Sequence, residues 1–403
     1  MHQLKSTVRP AVVYAYVRQL MQIELELKDY KQSVPAGLLV SVLLFAACWQ
    51  CSLSAACHYV KGTPSHETVR KAMHAALPRR PQELADRLVR VLHESLPWHL
   101  KNRPLVFALD IHRRPYYGKF TKGVTRGQEK KSTKKAFANA TLAAFSDSGR
   151  FTVGLIQVRQ YMRLTTILQR LLQQAALAGL SLSYLLLDKE FYSAEAIDWL
   201  QRHGVAFLMP AKRRDGKNGN GHFYEPSKEV GWYQYSWTSR PRRRDFRSGQ
   251  RKRKSMGLAV GVTVNVCVAR HPKKGGRLVY ASWGLGKWPP ALVVQEYRRR
   301  FGIEVAYRQL GQCLAVTTSK DERVRLLLVG VALLLCNAWA HLHGEALGQG
   351  PVGHRQLFLP LLRLRHLLLV LGVHLATLLG GIVDEWPTQR PPPPAFAPFE
   401  NAN

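Results

Sequence analysis

Two short apolar runs, Pro104-Leu-Val-Phe-Ala-Leu-Asp110 and Ser183-Tyr-Leu-Leu-Leu-Asp188, each end on an aspartate. A run of this length with polar flanks reads as a buried strand. A carboxylate closing such a strand is costly to hold without a partner, so each aspartate reads as a site acid at a sheet edge or as a metal ligand. The surrounding pattern agrees with a layered α/β chain. Lys135 to Phe145 and Arg150 to Arg159 read as strands about a turn at Asp147-Ser-Gly149, and Thr165 to Ala178 repeats leucines at helical spacing and stops at Gly179. Ser193 to His203 reads as a helix ending at Gly204, and Ala206 to Pro210 as a last strand. The resulting order is three strands, helix, strand, helix, strand.

A third acid stands far downstream. Tyr297-Arg-Arg-Arg-Phe-Gly-Ile-Glu304-Val-Ala-Tyr-Arg308 sets one carboxylate among four arginines and three aromatic rings. On a helix, Tyr297, Arg300, Glu304 and Arg308 share one side. By itself this is also the pattern of a solvated helix whose arginines are ordinary i,i+4 partners of Glu304. Other acids compete for the role. Asp147 falls in a turn, Asp198 in the middle of a helix, and Glu190 lies two residues beyond Asp188, close enough to replace it if the strand ends later. His112 falls on the same strand face as Asp110 if that strand continues.

The chain has 403 residues with 59 Lys+Arg against 26 Asp+Glu, a net charge of +33, while 46% of residues are hydrophobic. The positive charge therefore lies on a real core, and it calls for a polyanionic partner. It is concentrated in two segments. Lys101 to Lys135, which includes Lys119 and Lys122, holds 11 Lys+Arg and 2 acids. Lys212 to Lys254 holds 14 and 4, with peaks at Arg242-Arg243-Arg244 and Arg251-Lys252-Arg253-Lys254. Trp232, Tyr233, Tyr235 and Trp237 beside the second segment offer stacking surfaces for unpaired bases. The six cysteines show no paired knuckle spacing; Cys48, Cys51 and Cys57 with His58 read as small buried side chains rather than a zinc site. The apolar runs Leu326 to Trp339 and Leu367 to Val383 are at most about 18 residues with polar breaks, so they read as buried helices and not membrane spans. Met1 to Arg18 lacks an apolar signal core, and a cytoplasmic, nucleoid-associated location is expected.

Asp110, Asp188 and Glu304, with the wordings LDIHRRPYYGK and LLLDKEFYSAEAIDWL and the Tyr-x2-Arg-x3-Glu spacing of Tyr297, Arg300 and Glu304, resemble the acidic triad of DDE insertion-sequence transposases of the YREK signature. The signature lysine that follows the glutamate after six residues is absent, with Gly311 in its place. The resemblance implies a ribonuclease H-like α/β core with a mostly β insertion between the second aspartate and the glutamate. It implies two Mg²⁺ ions, replaceable by Mn²⁺, on the three acids. Tyr297, Arg300, Arg308 and the two basic segments would contact double-stranded DNA at transposon ends and target, in a homodimer that brings two ends together. A non-catalytic DNA-binding descendant and a stand-alone nuclease of the same fold are the alternatives. The expected organisation is a helical unit over 1–100, either a helix-turn-helix with Ser65 capping its second helix or a plain helical bundle, and the first part of the core over 101–212. A basic β insertion over 213–290, core completion over 291–345, and helices with a Pro-rich tail over 346–403 follow.

Overall fold

The first strand explains the layering. In β1 (Leu105–Pro115), Leu105, Phe107, Leu109 and Ile111 point into one apolar cluster, while Val106 and Ala108 point into another on the opposite face. A strand buried on both faces must have layers on both sides. The computed structural model describes residues 7–384 apart from 131, 217–218, 240–241, 245–252, 256–257, 272–274 and 352–353, and only the backbone of 128–130, 242–244, 253–255 and 301–307.

Five helices come first: α1 (Pro10–Glu24), α2 (Ala36–Cys48), α3 (Leu53–Tyr59), α4 (His66–Ala76) and α5 (Pro81–Glu94). Ser65 caps α4 by accepting from the Thr68 N–H at 3.3 Å. After β1 come β2 (Val124–Lys130), β3 (Thr133–Ser146), β4 (Gly149–Val158), α6 (Leu164–Leu177), β5 (Leu182–Leu186), α7 (Ala194–Arg202) and β6 (Phe207–Pro210). Next are β7 (Gly231–Ser239), the short β8 (Arg242–Arg244) and β9 (Arg253–Ser255), β10 (Val260–Arg270) and β11 (Arg277–Trp283). The chain then forms α8 (Pro290–Gln312), α9 (Glu322–Leu342) and α10 (Leu364–Leu378).

One mixed sheet runs β2-β3-β1-β5-β6-β11-β10-β7, with β4 also on β3. β1 and β5 are parallel, as are β5 and β6; β1 and β3 are antiparallel. Two features depart from the sequence reading. Asp110 does not close its strand, because β1 stays paired with β3 as far as Pro115↔Ala136 after its pairing with β5 has ended at Ala108↔Leu186. The long strands of 213–290 do not build a sheet of their own: β11 pairs with β6, and β10 and β7 extend the same sheet outward. Among the described residues, β8 and β9 form a separate two-stranded ladder.

Helices α6 and α7 pack on one face through Ile167, Leu168, Leu171, Ile197 and Leu200, and α8 covers part of the other through Val293, Val294 and Tyr297. The remaining helices form a second core in which α2 and α9 are buried almost all round. Helix α9 runs longer than its apolar stretch because Asp321 caps it, accepting from the Arg323 N–H at 2.8 Å. By length and composition it could cross a membrane; here 83% of its most apolar window is buried. It approaches α5 closely at Gly330, where a Cβ would lie 2.3 Å from a Leu88 methyl carbon.

The seam between helices and sheet is polar. Strand β4 exposes backbone groups on the side away from β3, and a buried strand edge must have them satisfied. Asn337 of α9 does this as a second strand would: its Oδ1 accepts from the Thr152 N–H at 2.8 Å and its Nδ2 donates to the Thr152 carbonyl at 3.0 Å. Nδ2 also donates to Ser95 Oγ at 2.9 Å. Gln174 of α6 repeats the device on Leu155, at 3.0 and 3.3 Å, and the His93 ring lies 2.8 Å from the Val153 carbonyl. Asn337→Leu, close in volume, orphans both Thr152 groups and is expected to cost roughly 2–4 kcal/mol at about 1–3 kcal/mol per buried unsatisfied group. Thermal denaturation should show a fall of several degrees, whereas an unchanged melting temperature would mean water reaches this seam.

Candidate active site

The site lies where β5 stops and β1 continues. Side chains alternate along a strand, so Val106, Ala108 and Asp110 share one face of β1, and Tyr184 and Leu186 of β5 fall on that same face. Helix α8 packs there. Tyr184 donates its hydroxyl hydrogen to Glu296 Oε2 at 2.6 Å, and the Tyr297 hydroxyl donates to the Leu187 carbonyl at 3.3 Å. Trp232 Nε1 donates to the Trp288 carbonyl at 2.8 Å, just before the helix begins. With Val293 and Tyr297 fully buried, these bonds fix the register of α8 against the sheet.

Arg300 follows Tyr297 by three residues and points into the same place. It is only 6% exposed, and its Nη2 donates to Asp110 Oδ1 at 3.1 Å. The same nitrogen lies 3.7 Å from Asp188 Oδ2. Asp188 sits two residues past β5, where its Oδ1 accepts from the Lys189 N–H at 2.7 Å and caps a short 3₁₀ turn over Lys189–Phe191. One guanidinium nitrogen therefore stands within ion-pair reach of both aspartates. Burial raises the Asp110 pKa above the ordinary carboxylate range; Arg300 opposes this, while Asp188 and Glu190 add to it. Burial also works against the Arg300 charge, but Tyr297, Asp110 and Asp188 hold its pKa above the usual value.

Glu304 lies on α8 one turn beyond Arg300; its side chain is outside the described residues. Among the described residues no three His, Cys, Asp or Glu side chains gather as a metal cluster. The donors that are described are of the kind a divalent ion takes: two hard carboxylate groups converge on one point, where Arg300 now stands between them.

The competing acids are engaged elsewhere. Arg113 holds Glu190 with both Nη atoms, Arg103 holds Asp147 at 3.0 Å, and Arg202 holds Asp198 at 2.9 Å. His112 continues on the Asp110 face of β1. Tyr297 and Arg300, expected to contact phosphate, are both buried on the side of α8 that packs, Arg300 against the two aspartates and Tyr297 against the Leu187 carbonyl. Tyr235 and Trp237, expected to stack on bases, are buried on β7, where Trp237 stacks with Tyr192 and with Tyr235.

Two exposed aromatics lie among lysines in the loop after β1. Tyr117 is 66% and Phe120 49% exposed, and the Arg126 guanidinium lies 5.2 Å from the Phe120 ring centre. Lys119 and Lys122 are exposed in that loop, and Arg308 is exposed on α8. These rings could have been found from YYGKFTK, aromatics spaced among lysines just beyond a strand. Arg242, Arg243, Arg244, Arg253 and Lys254 lie on the β8–β9 hairpin, of which only the backbone is described, and Arg251 and Lys252 lie outside the described residues.

No curated protein matches the sequence. Among solved structures, the chain is similar to a piggyBac transposase in a cryo-EM synaptic complex with hairpin DNA, at a TM-score of 0.53 and 9% identity, covering 94% of this chain and 82% of that one. A likeness at this identity speaks for the fold, which is ribonuclease H-like. Residues 159–337, which contain Asp188, Arg300 and Glu304 and begin after Asp110, match the family described as the transposase DDE domain.

Proposed function

We propose that this chain is a DDE transposase that cleaves transposon-end DNA and transfers the strands to target DNA. The observation that carries this reading is the convergence of Asp110 and Asp188 on one buried guanidinium beneath the helix whose next turn bears Glu304. The family match over 159–337 supports it. In this reading Asp110, Asp188 and Glu304 hold two Mg²⁺ ions, with Mn²⁺ able to replace them. Ions bound there supply an activated oxygen nucleophile and charge stabilisation at the leaving oxygen.

The protein's own part is placement. The β1–β5 edge and the anchored α8 hold the carboxylates in register, and Tyr297 closes the site from below. Lys119, Lys122, Arg308 and the cationic hairpin from Arg242 to Lys254 position the DNA backbone, a role that fixes register without reading sequence. Tyr117 and Phe120 add stacking surface beside those lysines. A homodimer acting on two ends fits the synaptic assembly of the structural neighbour.

A second reading, a non-catalytic DNA-binding protein, draws on Gly311. That residue is exposed in the last turn of α8, and a Cβ there meets nothing within 4 Å. A lysine would therefore fit, and its absence is not a packing requirement.

Asp110→Asn, Asp188→Asn and Glu304→Gln should each reduce Mg²⁺-dependent cleavage of a matched transposon end by at least about 100-fold, beyond the loss typical of residues that only support metal ligands. DNA binding should hold or tighten in all three variants. Equal cleavage by wild type and all three variants would remove the triad; tight binding without cleavage under Mg²⁺ or Mn²⁺, with cleavage appearing in Gly311→Lys, would point to a lapsed enzyme.

Affinity for duplex DNA should fall steeply with salt. Replacing Arg242, Arg243 and Arg244 by alanine should flatten the slope of log K against log salt by roughly 2–3, at about 0.9 per lost phosphate contact. Stability should change by under about 0.5 kcal/mol. An unchanged slope in a binding titration would take the hairpin off the DNA.

A further inference from the structure

We propose that Arg300 is an internal counter-ion for Asp110 and Asp188 in the metal-free protein, and that metal entry displaces it toward DNA phosphate, coupling the two binding events. The inference rests on reading the two aspartates as metal ligands. It is carried by the placement of the guanidinium, which is buried, lies 3.1 Å from one aspartate and 3.7 Å from the other, and has Tyr297 beneath it with 6.0 Å to the ring centre.

A guanidinium does not lose its proton in a protein, so its charge cannot be relieved by titration. A largely buried carboxylate, Asp110, with a half-buried second one, Asp188, beside it calls for a cation, and Arg300 supplies one. A divalent ion seeking the same oxygens meets that fixed charge at contact distance. Only the side chain is free to yield, because α8 itself is held by Val293, Val294 and the Tyr297 hydroxyl. Once displaced, the guanidinium is a planar, weakly hydrated donor that suits a phosphate in bidentate fashion. Phosphate that captures Arg300 frees the aspartates for metal, and metal that captures the aspartates frees Arg300 for phosphate. Such coupling is reciprocal by linkage.

The experiment is a Mn²⁺ titration of the full chain, followed by electron paramagnetic resonance, with and without a blunt DNA duplex in Ca²⁺-free buffer on ice. Arg300→Met removes the charge and keeps the bulk. It should bind Mn²⁺ more tightly than wild type without DNA, by roughly 5- to 100-fold, the span of ordinary coupling energies. Its metal-free melting temperature should drop and its Mn²⁺-induced rise should grow. Wild type should bind Mn²⁺ more tightly when duplex is present, and Arg300→Met should lose that gain. Should Arg300→Met fail to fold, Arg300→Gln, which can still donate to a carboxylate, measures the same quantities. Mn²⁺ affinity unchanged or weakened in the charge-removing variant overturns the proposal. Asp110→Asn and Asp188→Asn separate this from the reading beneath it: if they bind Mn²⁺ as wild type does, the metal site itself is wrong, and if they lose it while Arg300→Met is unchanged, only the counter-ion role fails.

Discussion

The parallel pairing of β1 with β5 is the constraint on which the site depends. It ends at Ala108↔Leu186, so both strands reach the same sheet edge with their next same-face residues, Asp110 and Asp188, just past the last shared rung. Ligand sites in α/β sheets collect beyond the carboxyl ends of parallel strands. A slip of one residue in this pairing would turn one aspartate to the opposite face, into the cluster of Leu109, Leu185 and the α6 and α7 side chains. The apolar alternation of β1 and β5 guards against such a slip, because it would also put Phe107 or Leu185 under α8.

Helix α8 supplies the rest of the site, and its own pairing residues lie upstream of its functional ones. Val293, Val294, Glu296 and Tyr297 engage the sheet over one turn and a half, and Arg300 and Glu304 then follow at three- and seven-residue offsets from Tyr297. Helix geometry thus transmits position from an apolar anchor to charged groups, so that no loop has to hold them. The C-terminal end of α8 is tied in turn to the helical core: Gln50 donates to the Gly311 carbonyl, and Leu310 and Cys313 pack beside α9. Because α9 is joined to β4 through Asn337, sheet, α8 and α9 form a closed circuit around the site.

How much of this could be read beforehand follows from where each signal resides. The strand and helix order from 105 to 210 was legible except for β2, since two-face burial and leucine spacing are written in consecutive residues, whereas Val124-Thr-Arg-Gly-Gln-Glu-Lys130 is mostly polar and pairs only through β3. Also legible was the neighbourhood of the two aspartates, which stand at one guanidinium. The continuation of β1 to Pro115 was not, because Ile111-His-Arg-Arg-Pro115 is polar and stays extended only through its partner β3. Nor could the sequence tell that β10 and β11 join the main sheet, as the choice of neighbour is a tertiary matter. Helical spacing grouped Tyr297 with Arg300 correctly but could not say which side of α8 packs. The same gap misplaced the β7 aromatics, whose alternation fits a solvent-facing and a buried strand equally well until α7 and Tyr192 are in position.

The electrostatics of the site run against those of the whole chain. At +33 the protein repels cations at long range, yet a divalent ion is the proposed ligand of the aspartates. Distance resolves the conflict. Surface charges more than about 8–10 Å away are largely screened at physiological salt, whereas the largely buried Asp110 feels Arg300, Asp188 and Glu190 at close range. The long-range field then serves to draw in a polyanion, and the short-range field decides which cation sits beside it. Arg300 belongs to both regimes: its charge adds to the global excess, but its burial spends that charge on two carboxylates, and in the proposed coupling it turns to DNA only when a metal takes them over.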